Sequence, residues 1–404
     1  MVYSIDRCAN NRIRFALGLL AACLAAGAES GIDSPSPDVA PFRVVAYVAG
    51  WSMPQFVPAE RLTHVNLAFA RIDASGQVVF QDERYGEAIR SLVALKARNT
   101  DLKVLVSVGG WQADGFSDAA LSVRSRDAFA RSAVSFIRVH RLDGVDLDWE
   151  YPGQGVGGIE YRSEDRENFT LLLKVLRAQL DAASDADGRA GPDRYLLTIA
   201  SADREYFDHT EMDRLHGYLD WINVMAYDFH NSLTPTTGHH AGLYPSEFAA
   251  PTDRNSDASI RQHLAAGIPP GKIVLGVAFY GRRFEGVSDR HEGLNRTYAS
   301  YGGDLSYAQL VDCCIDKGGF VRRWDARARA PYLWNSSTLT FISYDDPESI
   351  AAKATYARLN RLGGMMFWEL SQDRNGELLG AILGAADNAF TAARPVARLS
   401  CRPN

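Results

Sequence analysis

Asp146, Asp148 and Glu150 stand at every second position of the stretch DGVDLDWEYP at 143–152. Period-two spacing belongs to a β-strand, whose side chains alternate between faces. Three carboxylates then share one face, about 7 Å apart for each pair of residues. Val145, Leu147 and Trp149 form the other face, apolar and able to pack against helices. A solvated acidic edge strand would show the same alternation. No Lys or Arg interrupts the three acids, however, and like charges on one face repel. Proteins tolerate that cost where perturbed pKa values serve proton transfer. Acid–base work at the end of a strand is therefore the chemistry these residues could do. Asp143 has the wrong parity to face the same way and is assigned to holding the strand entry.

Eight apolar runs supply the sheet that such a strand needs. They are residues 42–49 (FRVVAYVA), 62–70 (LTHVNLAFA), 102–108 (LKVLVSV), the acidic strand, 195–201 (YLLTIAS), 220–226 (DWINVMA), 272–279 (KIVLGVAF) and 363–368 (GGMMFW). Segments 88–98, 127–141, 164–183 and 347–362 read as helices. Buried strands mostly alternating with helices predict an α/β fold, a closed (β/α)8 TIM barrel. The connection from the seventh run to the eighth is longer than a crossover needs. Residues 282–339 are therefore expected to form an inserted α+β subdomain.

Active sites in such barrels lie at the C-terminal ends of the strands. Trp111, Glu150, Tyr227, Asp228, Tyr280 and Trp368 all fall at such ends. Aromatic rings suit the flat apolar faces of sugars, and carboxylates suit glycosidic cleavage. Asp148 and Glu150 come from one face of one strand, so they cannot easily flank a sugar. Glu150 is the candidate acid, and the nucleophile must come from elsewhere. A sugar with a 2-acetamido group can supply it through its own carbonyl oxygen. The Gly-rich loop at 153–158 is not followed by Gly-Lys-Ser/Thr, which speaks against a phosphate-binding loop.

The 404 residues are 46% apolar and 23% charged, as in soluble globular proteins. A net charge of −6 argues against a nucleic-acid partner. Residues 1–28 read as an export signal, with Arg7, Arg12 and Arg14 before an apolar core at 15–22 too short to span a membrane. Two processing routes stay open. AGA at 26–28 resembles a signal cleavage site, and LAAC at 20–23 resembles a bacterial lipobox, cleaved before Cys23. In the second, a lipid on Cys23 would attach the protein to a membrane, with 29–41 as a tether. The protein is expected to be exported, either secreted or lipid-anchored at the cell envelope. The barrel is expected over 42–388, followed by a tail at 389–404, in a monomer. Adjacent Cys313 and Cys314 are expected not to bridge each other, and one of them could pair with Cys401. His230, His239 and His240 fit no common zinc spacing, and no metal is expected.

The acidic stretch resembles the DxxDxDxE signature of the family 18 glycoside hydrolases, the chitinases and their relatives. SVGGW at 107–111, MAYDFH at 225–230, TGHHAGLY at 237–244, VAFYGRRF at 277–284, WDARARAPYL at 324–333 and MMFWELSQD at 365–373 are also similar to that family. The resemblance spans about 42–384. It implies chitin or chitooligosaccharides as substrate, a retaining substrate-assisted reaction, and no cofactor. Glu150 would be the general acid and then the base. Asp148 would bind the acetamido N–H, and Asp146 would share charge or a proton with it. Tyr227 would donate to the acetamido oxygen, with Met225 and Asp228 shaping the site. Trp368 would floor the sugar pocket, Tyr47, Phe69, Trp111, Tyr151 and Tyr280 would line it, and Arg282 would contact substrate. Phe69 and Met225 read equally well as barrel filling, and Trp149 as outward packing. Two other functions fit the resemblance: an endo-β-N-acetylglucosaminidase on N-glycans, and a non-catalytic chitooligosaccharide-binding protein. The inserted subdomain favours chitinase over the first. The presence of Glu150, Asp148 and Tyr227 weighs against the second.

Overall fold

The computed structural model describes residues 42–392, with side chains through 384. The export signal, Cys23, the tether and Cys401 lie outside the described residues. Eight parallel strands close into a barrel: β1 (Arg43–Ala49), β2 (His64–Ile72), β3 (Lys103–Gly109), β4 (Gly144–Asp148), β5 (Leu196–Ser201), β6 (Trp221–Val224), β7 (Ile273–Ala278) and β8 (Gly364–Trp368). Each pairs with the next, and β8 returns to β1. These strands are rich in Val, Ile and Leu because both faces are covered, one by helices and the other by the barrel interior. Val145, Leu147 and Trp149 point outward into the helix-facing core, as their parity requires. Trp149 lies flat against Phe116, centroids 5.3 Å apart, and edge-on to Phe169.

Helices Glu83–Ala94, Val123–Val139, Asp165–Ala186, Ser256–Ala265 and Pro347–Leu359 cross between strands. The first begins five residues before the predicted 88. Asp82 caps it by accepting from the Arg84 N–H at 2.9 Å, a signal stronger than the apolar periodicity. Between β1 and β2 there is only a 3-10 turn, Ala59–Arg61.

After β7 the chain enters a second, antiparallel sheet of five strands. Their order is Ser300–Ser306, Tyr280–Glu285, Thr340–Ser343, Ala330–Asn335, Val321–Asp325. It has its own core of Phe284, Leu294, Tyr332, Trp334 and Phe341. The return to the barrel is fixed by a fully buried ion pair, Lys353 Nζ to Asp345 at 2.5 Å, and by Asp346 capping helix Pro347–Leu359.

Cys313 and Cys314 are joined in a disulfide, which corrects the expectation from sequence. Helix Tyr307–Cys313 ends between them. Cys314 leaves helical geometry (φ −133°), so the two side chains no longer diverge around a helix axis.

Candidate active site

Register builds the base of the site. Ser107 of β3 and Thr198 of β5 sit opposite Asp146 of β4, facing the barrel interior with it. Their hydroxyls donate to Asp146 at 2.7 and 2.5 Å. Tyr47 donates from β1 at 2.7 Å, and Asn223 from β6 at 3.2 Å. Burial raises the Asp146 pKa, and these four donors oppose the rise. Asp146 has no exposed surface. Among the described residues no hydrogen bond joins it to Asp148. Tyr47 likewise lies beneath the cleft, not in its wall.

Asp148 comes next along the strand. Its pKa is raised well above the usual range by burial, then by Glu150 and Asp146, while Arg71 pulls it down. Its Oδ1 is buried and makes no hydrogen bond within the described protein. The strand end is pinned by the Gly110 N–H, which donates to the Asp148 carbonyl at 2.8 Å. A Cβ on Gly109 (φ +119°) would lie 2.1 Å from that same carbonyl oxygen, so the approach requires glycine there.

Glu150 stands two residues beyond β4 and lines the cleft. Burial raises its pKa to about 7; the Tyr151 hydroxyl opposes this and Asp228 adds to it. That places its proton transfer near neutral pH, where a general acid works best.

A cleft of about 640 Å³ opens above these acids. Trp368 lines it, stacked with Phe69 at 5.4 Å and tilted against Tyr47 at 5.7 Å. Trp111, Tyr227, Asp228 and Tyr280 line it, as expected from their positions at strand ends, and so do Phe69, Tyr151, Met225 and Arg282, which the resemblance had placed there. Phe69 and Met225 also pack against the barrel interior. Trp111 is 45% exposed and meets Tyr151 edge-on at 6.4 Å. Among the described residues the Tyr227 hydroxyl has only the Met366 sulfur as hydrogen-bond partner, at 4.0 Å.

Asp228 is held differently. Tyr280 donates to it at 2.6 Å, Arg282 grips both oxygens at 2.8 and 2.6 Å, and the His240 ring lies 3.6 Å away. Burial alone would raise this carboxyl, but His240 and Arg282 outweigh it and hold the pKa well below the usual range. Arg282 also donates to Asp304 of the inserted sheet at 2.9 Å. The three histidines diverge: His230 faces Asp253 at 3.8 Å and His239 faces Asp325 at 3.1 Å. Asp143 accepts from the Val104 N–H and from Arg189, both at 2.8 Å, at the opposite end of β4.

Sequence reading missed Arg71, Arg254, Asn231 and Asp304, which also line the cleft. Arg71 carried a usable signal, since it shares parity with Phe69 at the end of β2. Its guanidinium donates to the Gly109 carbonyl and lies 5.8 Å from the Phe69 ring. Arg254 comes from a long connection with no period to read, and Asp304 from strand Ser300–Ser306 of the inserted sheet.

The model of the glycosyl hydrolases family 18 matches residues 43–373. Chitinase A1 of Niallia circulans is 43% identical over 313 residues, 74% of this chain and 44% of that protein. The chain thus spans less than half the length of that relative. Chitinase B of Serratia marcescens is 31% identical, covering 83% of this chain and 77% of that one. Among solved structures, a family 18 N-acetylglucosaminidase from Paenibacillus barengoltzii superposes with a TM-score of 0.80 at 39% identity, over 85% of this chain and all of that one. A group IV chitinase of Ostrinia furnacalis in complex with allosamidin gives 0.77 at 28% identity, over 86% and 99%. Among the described residues no helix is long and apolar enough to cross a membrane.

Proposed function

The chain belongs to the glycosyl hydrolases of family 18, and we propose that it is a chitinase, cleaving β-1,4-linked N-acetylglucosamine chains with retention through the substrate's own acetamido group. One observation carries this reading. Asp148 offers a buried acceptor, Oδ1, and Tyr227 a buried hydroxyl, and neither is committed to an oxygen or nitrogen of the described residues. An acetamido group matches both: its N–H donates to Asp148 and its carbonyl oxygen accepts from Tyr227. The other carboxylates of the cleft, Asp228 and Asp304, are both engaged by Arg282 and make poor nucleophiles.

The steps follow from these positions. A sugar on Trp368 brings its acetamido oxygen below the anomeric carbon. Asp148 orients the group and stabilises positive charge developing on its nitrogen. The carbonyl oxygen bonds to the anomeric carbon as Glu150 protonates the leaving oxygen, and an oxazolinium ion forms. Glu150, now a carboxylate, takes a proton from water, which attacks the opposite face and restores the β configuration. Asp146, with four donors, anchors the base of the strand and shares charge with Asp148 as the sugar moves.

Likeness to the Paenibacillus N-acetylglucosaminidase favours a second reading, release of single sugars from chain ends. Hydrolysis of chitin tetramer to hexamer, followed by NMR and product sizing, tests both. Early β-anomer is expected. Monomer alone from every oligomer would move the assignment to the second reading, and binding without cleavage would overturn both.

A further inference from the structure

Arg254 lines the cleft, yet no step above uses it. It directly precedes Asn255, whose side chain caps helix Ser256–Ala265 by accepting from the Ala258 N–H at 2.9 Å, so its backbone is fixed. Its guanidinium donates to Asp203, two residues past β5, and lies 5.1 Å from the Phe229 ring. The Asp203 side chain is 4% exposed and does not line the cleft, whereas that of Arg254 is 27% exposed and does. The pair therefore turns its positive end toward the cleft. The Arg254 Nε is buried without an acceptor, so the guanidinium is not saturated by the protein.

The barrel says which sugar it meets. In a ring of eight strands, β4 lies across from β8. A sugar on Trp368 of β8 with Glu150 at its glycosidic oxygen sends the leaving sugar past Glu150, toward the loops after β3 to β6. Trp111 and Tyr151 stand there. Arg254 is near enough to act on Tyr151: burial raises that phenol's pKa and the acids add to it, while the Arg254 charge draws it down.

We propose that Arg254 is a specificity-determining residue for the leaving sugar, selecting an N-acetylated unit there and rejecting a protonated glucosamine. This rests on the chitinase reading. A guanidinium donates readily to a neutral acetamido or hydroxyl oxygen. An ammonium in the same place faces a fixed cation. The nearby acids offer it no free counter-charge: Asp203 is committed to Arg254, Asp228 to Arg282 and Tyr280, and Glu150 must carry its proton when it meets the leaving oxygen.

The test uses partially deacetylated chitosan and fully acetylated chitin hexamer. The sugar at each newly formed non-reducing end is read by mass spectrometry. Glucosamine at these ends is expected to be depleted about tenfold relative to its share in the substrate. Arg254→Lys should keep the depletion. Arg254→Gln combined with Asp203→Asn, which leaves no buried carboxylate unpaired, should reduce it to about twofold or less and raise KM for the hexamer. Glucosamine at new ends of the wild-type products in its substrate proportion would overturn the proposal, and this needs no variant to fold. Undiminished depletion in the double variant would also overturn it. Failure to cleave the acetylated hexamer would instead defeat the chitinase reading, and this inference with it.

Discussion

The two walls of the cleft hold carboxylates under opposite regimes. On the β4 wall, Asp148 and Glu150 are buried beside other acids, and Arg71 only partly offsets them. Both are driven toward the protonated form. On the wall after β6 and β7, Asp228 is partly buried and accepts from Tyr280, and His240 and Arg282 keep it ionised. Asp148 is 4% exposed and the Asp228 side chain 33%, so both burial and partners separate their charge states. The first wall can exchange protons near neutral pH. The second is a fixed anion whose field raises Glu150 further.

Removing the proton donor of the first wall has the largest expected effect. Glu150→Gln should lower kcat on chitin hexamer by roughly 10³-fold or more, with circular dichroism unchanged. A loss below tenfold would mean that the acid lies elsewhere. In the native protein, kcat/KM should fall about tenfold per pH unit above about pH 7, as Glu150 loses its proton.

Making the second wall resemble the first comes next. Arg282→Met leaves the partly buried Asp228 without its cation. Breaking a partly buried pair in this way should cost roughly 2–3 kcal/mol in urea unfolding, and kcat/KM should drop about tenfold as the field at Glu150 changes. An unchanged urea midpoint would show that Arg282 does not hold the anion.

The walls should also differ in linkage. Glu150 has a folded pKa of about 7, above its ordinary 4.5. Its ionisation therefore destabilises the fold, progressively, as pH rises from about 4.5 to 7. Glu150→Gln should be more stable than the native protein by ~2–3 kcal/mol at pH 8 and equal to it at pH 4. Asp228 has the opposite sign: it contributes stability above its ordinary 3.8, lost as pH falls into the acid range. A native protein no less stable than Glu150→Gln at pH 8 would remove the contrast.

The smallest effect is expected at the exposed rim. Trp111→Ala should raise KM for the hexamer about fivefold with kcat little changed, as expected for an aromatic platform outside the reacting centre. An equal fall in kcat would place Trp111 in the transition state.

Much of this site was legible in the chain because it rests on short-range periodicity. Alternation at 145–150 set which residues face inward, and the apolar runs set eight strands whose ends carry Trp111, Glu150, Tyr227 and Trp368. Strand bounds differed by a residue or two, since hydrogen bonding, not hydropathy, ends a strand: β2 continues to Ile72 because it pairs with Val78–Phe80.

Sequence alone thus determined the identity and the facing of the acids. Tertiary structure decided their charge states, because each depends on partners far away in the chain. Asp146 takes donors from four other strands, Asp228 is held by a guanidinium 54 residues on, and Arg254 meets Asp203 from 51 residues away. The bond between Cys313 and Cys314 also waited on where a helix ended. No local pattern encodes such pairings, since they arise only when barrel closure brings loop ends to one mouth and removes the water that would otherwise equalise them.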